Sequence, residues 1–406
     1  MKVRHECFWL DRIPVRRRPS FPRLRTQLET RVAIVGGGLT GAATAWSLAA
    51  ARVPVVLIEA DAVCSGATSG SVGLIREDAD AAFAATASSY GLRAARAMWQ
   101  ALHRSALEFP SALRRLEIRC DLARQDLLTI PGPGTDVKNL HREQEARRAA
   151  GLEARWLNAA AVRRETGIDA AGGIRTAATA FDPYRAANGL VAAAAARGAQ
   201  IFERSPVLRI RNTRHAVEVV TSAGRVTADV VVIAGPSSIT DLRPLRRHLI
   251  PREGYGVVTA PLPAPVRRQV GPRTAAIRVA GAERIVRWLA GDRVLVAGAD
   301  QSPVPRQSRE RTVVQRTGQL MYELSLTYPA VSGTPPEWGW SFRFDDTADG
   351  LPFIGTHRNF PRHLFALAMG RHGGAASWLA ARILLRHVAG EPSKADDFFG
   401  FSRILR

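Results

Sequence analysis

The stretch Arg31-Val32-Ala33-Ile34-Val35-Gly36-Gly37-Gly38-Leu39-Thr40-Gly41 decides the reading of this chain. An apolar strand runs into G-x-G-x-x-G and then into a helix-forming run, Leu39–Ala51. In that arrangement Gly36 permits the tight turn, Gly38 lets the backbone approach a pyrophosphate, and Gly41 lets the helix pack closely on the strand. The free N–H groups at the helix start, around Leu39 and Thr40, then face the anion. Eighteen residues past Gly41 the run Val55-Val56-Leu57-Ile58 ends in Glu59, where an acid binds ribose hydroxyls. A lone glycine pattern is weak, but strand, helix, second strand and terminal acid in this order predict a dinucleotide site.

Composition sets the frame. A chain of 406 residues exceeds what one hydrophobic core usually holds, so two domains are expected. The formal net charge of +21 invites a nucleic-acid reading. Its basic residues are nearly all arginine, however, with lysine only at 2, 138 and 394, and they are scattered along the chain. Apart from the short cluster Arg16-Arg17-Arg18 there is no basic face interleaved with aromatics, so solvated arginine surface is preferred and a nucleic-acid partner is not expected. Cys7, Cys64 and Cys120 have no C-x-x-C or Cys/His ligand spacing, which points to a reducing compartment and no metal site. No window reaches the apolar length of a membrane span. Arg16-Arg17 is followed by Pro19 and Pro22 instead of a hydrophobic stretch, so an N-terminal arm is preferred over an export signal and a cytoplasmic location is expected.

Further along, the run from Cys64 to Gly73 is too rich in glycine and serine for a regular element and reads as a loop pressed against a ligand. Helical spacing covers Ala81–Phe109, Glu143–Ala150 and Asn158–Thr166. Gly173–Phe181 reads as a strand, with Asp182-Pro183 as cap and first turn of a helix, Tyr184–Arg197, that Gly198 stops. Short strands are expected at Gln200–Glu203, Val207–Arg211, Ala216–Thr221 and Arg225–Val226. The dense run from Ala228 to Gly235 suits a central parallel strand covered on both faces. From Leu249 to about Trp340 the pattern turns antiparallel, with strands at Val257–Ala260, Ala275–Val279, Arg284–Leu289 and Arg293–Gly298 and a helix at Arg309–Leu326. The chain returns with Leu351–Gly355, the strand Leu364–Met369, the turn Gly370-Arg371-His372-Gly373-Gly374 and a helix from about Ala375 to Val388.

These pieces, in this order, resemble the FAD-dependent amine and amino-acid oxidoreductases of the D-amino-acid oxidase superfamily. Four stretches carry the likeness, which spans nearly the whole chain: Val32–Gly41 with Glu59; the loop Gly66-Ala67-Thr68-Ser69-Gly70; Phe181-Asp182-Pro183-Tyr184 leading to the run Val230 to Gly235; and Asp349-Gly350-Leu351-Pro352-Phe353-Ile354-Gly355 with the turn Gly370 to Gly374. The resemblance implies an α/β fold, a Rossmann-like FAD-binding domain with an interleaved α+β substrate domain built on an antiparallel sheet. The expected division is an arm over 1–30, the FAD-binding domain over 31–85, 155–245 and 341–406, and the substrate domain over 86–154 and 246–340.

The resemblance also assigns roles. Gly36, Gly38, Leu39, Thr40 and Gly41 would hold the FAD pyrophosphate and Glu59 the adenosine ribose. Thr68 and Ser69 would line the route to the flavin, and Val207 would meet adenine through its backbone. Gly235 would complete the cofactor site, and Gly370, Arg371, Gly373 and Gly374 would abut the flavin. N–H groups from His372 to Ala375, at a helix start, would stabilise negative charge on the reduced ring.

Amine oxidation by FAD asks for placement, with no nucleophile or metal. A substrate carboxylate calls for a guanidinium fork. Arg287, on a substrate-domain strand, is the first choice, with Arg343 and Arg371 next. Tyr255, in Pro251-Arg252-Glu253-Gly254-Tyr255-Gly256, either hydrogen-bonds substrate or packs at the domain junction. His372 either tunes the flavin or takes a proton, or is a plain turn histidine. Trp338 and Trp340 either wall the pocket or pack in the core. No cysteine follows Cys120, so the covalent flavin link of sarcosine-oxidase relatives is excluded and FAD is expected to be non-covalent. No lysine stands between Lys138 and Lys394 to activate oxygen, which keeps a quinone or other carrier as open as oxygen for the electrons. The leading expectation is oxidation of a small amine or amino acid to an imine by hydride transfer to flavin N5. The alternatives are a flavoprotein acting on or binding tRNA and an NAD(P)-linked dehydrogenase.

Overall fold

The computed structural model describes residues 3–405 apart from 133, 236–239, 271–274, 283 and 372, and for 240, 241, 404 and 405 it describes the backbone alone. Two eight-stranded sheets build the molecule. The strand Gln27–Val35 lies at the centre of the first, parallel to both Val55–Ile58 and Arg225–Ile233. Its residues Val32 and Ile34 pack with the helices Leu39–Ala50, Pro183–Ala195 and Gly374–Ala389 on one face, while Ala33 joins Val231 and Ile233 on the other. Burial on both faces explains why these strands are uniformly apolar and not alternating. The strand Phe360–Leu367 adds in parallel to the far end of Arg225–Ile233, and the hairpin Val207–Asn212 with Val217–Thr221 pairs with its near end.

The second sheet runs, in spatial order, Pro336–Asp346, Ile250–Thr259, Arg293–Gln301, Arg284–Leu289, Ala275–Ala280, Asp126–Pro131, Gly172–Thr176 and Arg155–Asn158. All its pairs are antiparallel except Ala275–Ala280 with Asp126–Pro131. One face lies against the helix Arg309–Thr327 through Val257, Val286, Val296, Leu320 and Leu324. The other face, with Val258, Ile285, Leu295 and Ala297, joins the core of the first sheet.

Several expectations change. Gly173–Phe181 is not one strand: the chain leaves the second sheet after Thr176 and pairs as Ala178–Ala180 in a small third sheet with Leu74–Arg76 and Ala123–Arg124. The segment 155–245 is therefore shared between the two large sheets. Arg225–Val226 is no separate strand but the start of one continuous strand ending at Ile233. The helical stretch from Ala81 is broken at Gly91, φ +80°, into Phe83–Tyr90 and Leu92–Arg115. The run 64–73 holds one helical turn, Ala67–Gly70. The N-terminal arm crosses that turn: Trp9 Nε1 donates to the Ser71 carbonyl at 2.8 Å, the Cys7 thiol to that of Ser69, and Trp338 Nε1 to Asp11 at 2.9 Å.

Candidate active site

The glycine turn sits where the C-terminal ends of the two central strands meet. Gly36 has φ +108°, and a Cβ there would lie 2.6 Å from the Ala234 carbonyl oxygen. At Gly41 a Cβ would come within 1.9 Å of the Gly36 carbonyl oxygen, so only glycine lets the helix approach the strand this closely. Gly235 lies beside this turn, where a Cβ would be 3.8 Å from Gly36 Cα. Gly38 is the N-cap of the helix and has no side chain to close it. Thr68 Oγ1 accepts the Leu39 N–H at 2.8 Å, while the first-turn N–H groups of Thr40 and Gly41 lack intrahelical partners. Glu59 faces the same turn, with Oε2 accepting the Gly37 N–H at 2.5 Å and Oε1 that of Asp61 at 3.0 Å. This is a cradle with a partly positive helix end, capped only at Leu39, and a carboxylate at its rim. That donor set fits the pyrophosphate and ribose of a dinucleotide.

Three more elements converge there. Ser69 is buried with its hydroxyl on the Ser65 and Gly66 carbonyls, both at 2.9 Å, so it shapes the turn beside Thr68. The helix Gly374–Ala389, N-capped by Gly373, starts against the first helix, with Ser377 Oγ 2.9 Å from Thr40 Oγ1. Gly370, φ +76°, lies so close to Asp80 that a Cβ would be 2.2 Å from its Oδ2. Val207 begins a strand two residues past Ser205, whose N–H donates to the Glu59 carbonyl at 2.9 Å, so its backbone follows the segment that flanks the acid. His372 lies outside the described residues.

The second sheet roofs this region with aromatic rings. Trp340 lies over Gly256 and Phe342 over Gly254, and both meet the one-turn helix: Trp340 Nε1 donates to the Gly70 carbonyl at 3.2 Å, and a Cβ on Gly70 would be 2.3 Å from that of Phe342. Phe342 and Phe344 stack with centroids 5.7 Å apart. Trp340 therefore touches the cofactor loop, whereas Trp338 sits farther out against Phe8 of the arm, their centroids 5.1 Å apart.

Two sequence-based substrate residues are placed otherwise. Tyr255 alternates with Gly254 and Gly256, so its side chain points to the helix-covered face and packs with Val313, Leu320 and Leu324. Its hydroxyl accepts from Gln301 Nε2 at 2.8 Å, and burial, then the charge of Glu253, raises its pKa. The pairing places it across the sheet from the site. Arg287 does face inward, but its Nη1 donates to the carbonyls of Val72 at 2.5 Å, Gly73 at 2.6 Å and Phe181 at 3.3 Å, and its Nε to Gln125 at 3.2 Å. Burial among these neutral acceptors pushes the guanidinium down to about 10. It staples the cofactor loop to the Phe181-Asp182 corner, where the Asp182 side chain accepts the Arg185 N–H at 3.0 Å and starts the helix Pro183–Ala195 as expected. Arg343 lies on the far face, half-exposed and bonded to the Val304 carbonyl.

Sequence reasoning missed Asp300 of the second sheet, which pairs with Arg371, just before the helix Gly374–Ala389. It also missed Phe342 and Phe344, which the alternation Trp338, Trp340, Phe342, Phe344 along one strand would have signalled. Nothing in the sequence marks Ser377. Among the described residues no group of three or more His, Cys, Asp or Glu side chains is arranged to hold a metal, and no helix is long and apolar enough to cross a membrane.

A glycine cradle with a carboxylate at its rim, beside a largely antiparallel sheet, is the arrangement of a two-layer flavoenzyme. Comparison with known proteins agrees: residues 31–386 match the DAO model of FAD-dependent oxidoreductases, and the chain belongs to that family. It is 26% identical over 384 residues to gamma-glutamylputrescine oxidoreductase of Escherichia coli K12, covering 93% of this chain and 88% of that one. Glycine oxidase of Geobacillus kaustophilus is 26% identical over 387 residues, covering 91% and 96%. The crystal structure of glycine oxidase from Geobacillus kaustophilus superimposes with TM-score 0.75 at 22% identity, covering 93% of this chain and 99% of that one. That of L-proline dehydrogenase from P. horikoshii gives 0.76 at 16%, covering 94% and 99%. The chain is thus an FAD-dependent oxidoreductase of the amine and amino-acid type, and these matches do not favour the nicotinamide or tRNA readings.

Proposed function

We propose that this enzyme oxidises a small amine or amino acid to an imine, the hydride leaving the substrate carbon for flavin N5, a proton leaving the nitrogen, and water then hydrolysing the imine. FAD supplies the two-electron acceptor when bound. Gly36, Gly38, Leu39, Thr40 and Gly41 would hold its pyrophosphate, Glu59 its ribose, and the turn from Gly370 to Gly374 would abut its reactive ring. The observation that carries this reading is the convergence of two glycine-started helices, at Gly38 and Gly373, joined by Thr40 and Ser377, with the rings of Trp340 and Phe342 against the neighbouring turn at Gly70. Such helix ends favour negative charge, the charge a reduced flavin develops. The roof would exclude water and fix the C–H bond to be broken.

The state of the thiols supports non-covalent binding. Cys7, Cys64 and Cys120 are all buried, and burial pushes Cys7 and Cys120 up to about 12. Thiols held protonated are poor nucleophiles. The test is to purify the protein, confirm that acid precipitation leaves FAD in the supernatant, and mix the holoenzyme without oxygen with a panel of amines and amino acids. Bleaching of the flavin by at least one member is expected. A colourless protein that takes up no FAD, or a flavin that no member bleaches, would overturn the reading.

A further inference from the structure

Asp300 stands on the strand Arg293–Gln301 of the second sheet, and Arg371 precedes the helix Gly374–Ala389. Its Oδ2 pairs with Arg371, and both side chains are largely buried, 13% and 7% exposed. Among the described residues its Oδ1 is buried without a hydrogen-bond partner. Buried carboxylate oxygens are normally satisfied, so an open one beside a reaction site points to a donor supplied from outside the protein. Only glycine fits at 254 beside it, since a Cβ there would lie 3.1 Å from this oxygen and 2.9 Å from the Phe342 ring.

Among the described residues, four arginines that could fix a substrate carboxylate are committed elsewhere. Arg287 is held by main-chain carbonyls, Arg343 faces away, Arg278 donates to Asp78 at 3.2 Å, and Arg371 is neutralised by Asp300 itself. Resting on the oxidase or dehydrogenase reading above, we propose that Asp300 sets the specificity of the site: its Oδ1 receives the nitrogen of a cationic amine that bears no α-carboxylate. An ammonium gains a charge-assisted hydrogen bond there, beside the Phe342 ring. An α-carboxylate beside that nitrogen would meet Asp300 as a like charge.

The test uses the FAD-loaded full chain with two isosteric probes that cannot be oxidised as amines: tert-butylamine, whose nitrogen-bearing carbon has no hydrogen, and pivalate. Perturbation of the flavin absorption and the melting temperature are followed against probe concentration. Saturable binding of tert-butylamine and none of pivalate are expected. Asp300→Asn should raise the half-saturating amine concentration at least tenfold with FAD content unchanged. Gly254→Ala, which presses a methyl group against Oδ1 and the Phe342 ring and keeps the Asp300 carboxylate, should raise it at least fivefold and serves if Asp300→Asn does not fold. Pivalate binding as tightly as the amine, or either folded variant binding tert-butylamine within twofold of the parent, overturns the proposal. Bleaching by n-butylamine tests the oxidation reading separately, because its failure would leave the binding result standing.

Discussion

The hydroxyl of Thr40 lies 2.9 Å from that of Ser377, so two helices far apart in sequence are joined at their first turns, beside the glycine cradle. Both residues are buried, Ser377 at 3% exposure, and water cannot replace a lost partner. Thr40→Val keeps the shape and orphans the serine. It should destabilise the FAD-free protein by about 1–3 kcal/mol and weaken FAD binding, because the two helix starts no longer hold their relative position. Urea denaturation midpoints and an FAD titration measure both effects. Parent-like values in both would mean that Ser377 finds another acceptor.

Glu59 holds the Gly37 and Asp61 N–H groups, and the proposed reading also assigns it the ribose of FAD. Glu59→Gln preserves size but removes the charge that strengthens each bond. FAD affinity should fall roughly ten- to hundredfold, matching about 1.5–3 kcal/mol for a charge-assisted hydrogen bond. Fluorescence titration of the stripped protein reads this directly. An affinity within threefold of the parent would remove Glu59 from the cofactor site.

Acid stability should report the Asp349–Arg403 pair. Arg403 is 2% exposed, donates to the carbonyls of Leu351, Pro352 and Phe399, and meets Asp349 at 2.8 Å. Burial by itself raises the Asp349 pKa, but Arg403, Tyr90 and Thr347 together outweigh it and hold the carboxyl below its ordinary value. The unfolded chain therefore binds this proton more readily. The pair's stabilisation is present above the ordinary carboxylate pKa of about 4 and is lost as pH falls through the lower folded-state value. Asp349→Asn should lose stability at pH 6 and show a shallower decline between about pH 5 and 3. Parallel slopes in parent and variant would assign the acid limb to other carboxylates.

What could be read from the sequence follows from which forces act locally. The cradle was legible because the steric demands at Gly36 and Gly41 and the acid after Ile58 are written within one strand-helix-strand unit. The strands Asp126–Pro131 and Arg155–Asn158 were not foreseen, because their partners lie elsewhere in the chain: Asp126 pairs with Ala275. Tyr255 was ambiguous because its strand is buried on both faces and only the packing of Leu320 and Leu324 chooses its side. Asp300 was invisible because its partner Arg371 is brought near only by folding.

Arg287 separates a residue that looks like a ligand from one that holds the site together. Its sequence context suggested a carboxylate anchor, yet its Nη1 is surrounded by the carbonyl oxygens of Val72, Gly73 and Phe181. Arg287→Met would leave those acceptors buried and unpaired. It should destabilise the protein by about 2–4 kcal/mol in urea denaturation. Arg287→Lys restores the charge without the planar fork and should recover only part of that loss. In the folded fraction of either variant, the substrate concentration that half-reduces the flavin anaerobically should stay within about threefold of the parent. A Met variant as stable as the parent that needs tenfold more substrate would return Arg287 to the role of anchor.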